Sequence, residues 1–88
     1  NFFWANKLKK KLNNFNITTN EVTANFLLLN FNKCKYSANY VQKKLEDKGI
    51  ILRGMQSYKI KNALRLTIGN NSENKLFLKS INRIFKNV

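Results

Sequence analysis

Residues 63–69 read Ala63-Leu64-Arg65-Leu66-Thr67-Ile68-Gly69, and the fold is decided here. Leu64, Leu66 and Ile68 alternate with Ala63, Arg65 and Thr67, the two-residue period of a strand with one face turned to an apolar core. Gly69 ends the strand over 63–68. Asn70 then stands three positions before Glu73, a variant of the capping box with Asn in place of Ser or Thr. A helix over about 71–87 follows, carrying Phe77, Ile81, Ile84, Phe85 and Val88 on one face.

Working back along the chain, Ile50-Ile51-Leu52 reads as a second buried strand. Gly49 sits before it where a left-handed C-cap residue belongs. It closes a helix over 38–48 that Ser37 caps and whose inner face holds Ala38, Val41 and Leu45. The near-continuous apolar run Phe26-Leu27-Leu28-Leu29-Asn30-Phe31 fits a strand covered on both faces. Residues 17–22 (ITTNEV) suit a short edge strand. In 2–15, Trp4, Leu8, Leu12 and Phe15 recur at helical spacing and leave most of Lys7, Lys9, Lys10 and Lys11 to solvent. The order is helix, edge strand, strand, helix, strand, strand, helix. It predicts an α+β fold in which a small, largely antiparallel sheet is layered with helices, in one domain over 1–88.

Composition bounds what such a domain does. The 88 residues carry 17 Lys and Arg against four Asp and Glu, a formal charge of +13, with no histidine, no proline and one cysteine. Without histidine, no Ser-His or Cys-His nucleophile pair can form. One cysteine and four dispersed acids offer no metal-ligand set. Three separated glycines make no phosphate-cradling loop. Cys34, between Lys33 and Lys35, has no partner for a disulfide, and nothing points to an oxidising compartment. Neighbouring charge could activate its thiol, but an incidental thiol is the simpler reading. No apolar stretch of about 18 residues exists, so no membrane helix is expected. Phe2-Phe3-Trp4 precedes the basic run, the reverse of a signal peptide, and a cytoplasmic setting is the default. The chain begins at Asn1 and not Met, which suggests a start further upstream. The 16 Asn beside 14 Lys have AT-rich codons, so a biased genome could supply much of the charge with no partner. Solvated lysine is the ordinary outcome.

Arg65 stands out within the deciding stretch. Only three of the 17 basic residues are arginine, and two of them, Arg53 and Arg65, fall at or beside strands. Arg65 lies opposite the leucine face, on a side that the apolar neighbouring strand suggests is covered by a second body. A planar guanidinium facing such a body suits a carboxylate or phosphate. Arg53 stands where it can approach from beside it.

Taken together, Ala24-Asn25-Phe26-Leu27-Leu28, Gly49-Ile50-Ile51-Leu52-Arg53 and Leu64-Arg65-Leu66-Thr67-Ile68-Gly69 with Glu73-Asn74 resemble the C-terminal domain of histidinol-phosphate aminotransferases. The resemblance covers nearly the whole chain. It departs at Lys59, where the family tends to have Gly, and at Lys61, where it tends to have Pro. It implies the small C-terminal domain of a fold-type I, homodimeric enzyme dependent on pyridoxal phosphate, which exchanges an amino group between glutamate and imidazole-acetol phosphate in histidine biosynthesis. It further implies that Arg65 anchors the substrate's anionic group and that Arg53 helps with the phosphate of histidinol phosphate. The cofactor lysine, the acid facing the pyridine nitrogen and the phosphate cup would belong to a large domain, so this chain is expected to be inactive alone. Within the same fold, a close relative such as an aromatic aminotransferase or a phosphothreonine decarboxylase is a third reading. The alternative of another class is a basic nucleic-acid-binding α/β module, but Phe26–Phe31 lacks the Lys/Arg-Gly-Phe strand motif of an RNA-recognition domain, and no specific nucleic-acid partner is expected.

Overall fold

The computed structural model describes residues 2–23 and 25–86. The elements run α1 (Phe2–Asn13), β1 (Thr18–Thr23), β2 (Phe26–Asn30), α2 (Ala38–Glu46), β3 (Arg53–Gly54), a 3-10 turn (Gln56–Tyr58), β4 (Ala63–Thr67) and α3 (Asn71–Lys86). The four strands form one sheet in the order β1-β2-β4-β3, antiparallel at every junction. The fold is the expected α+β layer.

The leucine alternation sets where the core lies. Leu27 pairs with Leu66 and Leu29 with Leu64 across β2 and β4, so all four side chains leave one face of the sheet. Trp4, Leu8 and Leu12 of α1, Val41 and Leu45 of α2, and Phe77, Ile81 and Ile84 of α3 pack with them in a single core. Each fully buried leucine contributes about 1.5–3 kcal/mol relative to exposure, so this face holds the helices to the sheet. The opposite face is not sealed. Phe26, Leu28, Asn30 and Arg65 are half-buried there, and Thr67 is exposed.

Local signals end the elements where backbone groups need partners. Ser37 Oγ accepts from the Tyr40 N–H at the start of α2, and Asn62 Oδ1 accepts from the Ala38 N–H. At its end Gly49 takes φ 81°, and the Ile50 N–H reaches back to the Leu45 carbonyl. The Asn70–Glu73 box closes reciprocally at α3, with N–H to side-chain oxygen distances of 2.9 and 2.8 Å.

Several expectations are corrected. The first helix stops at Asn13, short of 15, because Asn16 adopts φ 62° and the Ile17 N–H bonds the Leu12 carbonyl, a left-handed stop made by Asn where Gly is usual. The second helix ends at Glu46, within the expected 38–48. Ile50-Ile51-Leu52 is not a strand: Ile50 is taken up by the helix stop, Leu52 alone is buried, and Ile51 is 78% exposed. Pairing begins only at Arg53. The run at Phe26 is not covered on both faces by this chain, since burial alternates along β2. Val88 and Ala24 lie outside the described residues.

Candidate functional site

The open face of the sheet is where the two arginines meet. β4 is central, with β2 on one side and β3 on the other. Leu64 and Leu66, both buried, pin the backbone on either side of Arg65 and force its side chain to the opposite face. Leu28 of β2 and Arg53 of β3 are its two cross-strand partners. Arg53 and Arg65 therefore leave the same face side by side, at the Cα separation of about 4.5–5.5 Å that antiparallel partners have. The sequence put Arg53 beside Arg65 in general terms, and the register makes the two direct neighbours.

Arg53 is held by the segment that precedes it. Leu52 is buried beneath, and Gln42 Nε2 of α2 donates to the Leu52 carbonyl at 3.0 Å. Like charges directly opposed on a sheet destabilise it, and among the described residues no ion pair joins an acid to either arginine. Both line a cleft of about 340 Å³, together with Gln42, Glu46, Met55, Ser57 and Tyr58. Glu46 is the one acid there, and it is exposed. An anion entering the cleft would relieve the repulsion between the arginines, which is what the arrangement can do chemically.

Two further features were not read from the sequence. The Phe26 ring lies 4.6 Å from the Arg65 guanidinium carbon, and Arg65 Nε is buried with no hydrogen-bond partner. Phe26 looked like core, and only the register with β4 places it on the open face with Leu28. Asn74 is only 3% exposed and bonds both backbone groups of Gly69 at 2.9 Å, fixing the exit from β4. Sixteen asparagines in the sequence hid this one.

The remaining candidates gather into no site. Cys34 is half-buried against the core. Among the described residues no cluster of three His, Cys, Asp or Glu could hold a metal ion, and no helix is long and apolar enough to cross a membrane. Among the described residues no lysine lines the arginine cleft. The described lining of this cleft therefore offers no amine to hold pyridoxal phosphate and does not fit that cofactor.

No protein-family model matches the chain. It is 57% identical over 82 residues to a histidinol-phosphate aminotransferase of Pelagibacter ubique, which covers 92% of the chain and 23% of that protein. A protein of the same name from Paramagnetospirillum magneticum is 34% identical over 82 residues, again 92% of the chain and 23% of the relative. The chain thus spans about a quarter of the length of the curated relatives it matches. Among solved structures, an L-threonine-O-3-phosphate decarboxylase from Porphyromonas gingivalis superposes with a TM-score of 0.70 at 19% identity, over 94% of this chain and 27% of that one. This last likeness shows the fold alone.

Proposed function

We propose, from the homology of this chain to one segment of histidinol-phosphate aminotransferases, that it is the C-terminal, substrate-anchoring domain of such an enzyme. In this reading residues 1–88 are one domain of a longer, cytoplasmic, homodimeric protein. The remaining three quarters hold pyridoxal phosphate, which supplies the electron sink for amino transfer. This chain's own part is to bind and orient. Arg65 takes the anionic group beside the amine-bearing carbon, the carboxylate in glutamate and the phosphate arm in histidinol phosphate or imidazole-acetol phosphate. Arg53 adds a second cation for the phosphate, whose greater charge calls for more than one donor group. Fixing the anion fixes the reacting carbon, and positioning of this kind is a large part of catalysis.

The single observation that carries the reading is the direct opposition of Arg53 and Arg65 across β3 and β4, with both lining one cleft. Two directly opposed arginines that no described acid ion-pairs are costly to keep unless an anion visits. The same face carries Phe26 and Leu28, half-buried apolar residues suited to the contact of a second domain. Joining this chain to the remaining three quarters of the Pelagibacter ubique relative tests the proposal. The chimera is expected to transfer the amino group of glutamate to imidazole-acetol phosphate. A chimera that folds and binds cofactor but transfers nothing would count against it.

A further inference from the structure

We propose that Phe26 is the positioning residue of the Arg65 anion anchor, holding the guanidinium so that its two Nη groups, and not Nε, meet the substrate anion. The inference rests on the substrate-anchoring reading above and deepens it. Arg65 pairs with Leu28 and Thr67 pairs with Phe26, so Phe26 lies diagonally along β2 on the same face as Arg65. That diagonal is within reach of an aromatic side chain, and the ring sits 4.6 Å from the guanidinium carbon. A cation over an aromatic face is attracted by the ring's quadrupole.

The ring has two consequences for the anchor. It draws Arg65 towards β2 and so away from Arg53, which stands on the other side in β3. The two guanidinium groups are thereby kept apart, with the cleft between them free for an anion. It also goes with a buried, unpartnered Nε. Arginine keeps its charge and its five N–H donors at any ordinary pH. With Nε sealed, the outward donors are the Nη groups, a fork that matches two oxygens of a carboxylate or phosphate. An arginine without such a platform must lose rotamer freedom each time an anion binds. Phe26 removes part of that loss in advance, and a ring that acts on binding alone should move KM and leave kcat.

The test uses the full-length enzyme, with Phe26→Leu, Phe26→Tyr and Arg65→Ala assayed side by side for glutamate and for histidinol phosphate. Loss of the ring attraction in Phe26→Leu should raise both KM values about three- to tenfold with kcat within about twofold. Phe26→Tyr, which keeps the aromatic face, should restore wild-type KM. If Phe26→Leu loses the cofactor or its solubility, Phe26→Met and Phe26→Trp replace it, with KM rising for Met and not for Trp. Wild-type KM in Phe26→Leu or Phe26→Met, beside a damaged Arg65→Ala, overturns this inference and leaves the anchoring reading standing. Wild-type kinetics in Arg65→Ala overturns the anchoring reading itself. A structure with bound glutarate should place the anion on the Nη groups, and an anion held by Nε would contradict the proposal.

Discussion

Asn74→Ala should lower the stability of this chain markedly. The amide is 3% exposed, donates to the Gly69 carbonyl and accepts from the Gly69 N–H, each at 2.9 Å. Alanine removes both bonds. Each is worth about 0.5–1.5 kcal/mol net, and a group left buried without a partner adds about 1–3 kcal/mol. Gly69 is half-buried, so water reaches part of what is exposed, and the sum comes to about 2–4 kcal/mol. In a domain of this size each kcal/mol moves Tm by roughly 4–8 °C, which gives a fall of about 8–32 °C. Thermal unfolding followed by circular dichroism reads it directly. Urea unfolding should show a lower midpoint with an unchanged slope, because the surface exposed on unfolding stays the same. Lys75→Ala, at the exposed next position, is the control and should stay within about 0.5 kcal/mol of wild type. A Tm change of under about 3 °C in Asn74→Ala would refute the claim that these two bonds hold the exit of β4.

Lys59 adopts φ 60° at the end of the 3-10 turn, so Lys59→Gly should raise stability by about 0.5–1 kcal/mol, since the relief of left-handed strain exceeds glycine's extra unfolded-state freedom; an unchanged or lower Tm would contradict this. Incubating the chain with pyridoxal phosphate and reducing with borohydride should give scattered substoichiometric labelling and no glutamate turnover. One lysine labelled stoichiometrically, with turnover, would overturn the fragment reading. Binding to DNA or RNA should be weak, indifferent to sequence and steeply lost with salt, because the +13 charge offers counterion release without base readout. A titration in which one sequence stays tightly bound at physiological salt would favour a nucleic-acid module instead.

The parts legible in the sequence are those where one physical requirement dominates. Leu64, Leu66 and Ile68 cannot all be buried unless 63–68 is extended, and Ser37, Gly49 and the Asn70–Glu73 pair mark helix ends by chemistry that few other positions need. The illegible parts are those where two solutions were open. Asn16 stops α1 in a role usually given to glycine, so the periodicity to Phe15 overran it. Ile50-Ile51-Leu52 has the composition of a buried strand, but Ile50 is claimed by the helix stop and Ile51 is left exposed. The run from Phe26 to Phe31 gave no sign that its two faces differ, and only the register with β4 separates Leu27 and Leu29 from Phe26 and Leu28. Arg65 was legible as an anomaly among lysines. Its ring platform was not, because a diagonal contact across strands leaves no trace in sequence spacing.

The central claim is that Arg65 anchors the substrate's anion, and Arg65→Ala in the full-length enzyme tests it most directly. The side chain leaves the face away from the helix-packed core, so the fold and cofactor binding should survive. Truncating a charge-paired, partly desolvated contact costs on the order of 2–5 kcal/mol, so kcat/KM should fall about a hundredfold or more for glutamate and for histidinol phosphate alike. Arg65→Lys should recover only part, since one ammonium cannot reproduce a two-pronged fork, and Arg53→Ala should harm the phosphate substrate more than glutamate. Wild-type kcat/KM for both substrates in Arg65→Ala would contradict the account at its central residue.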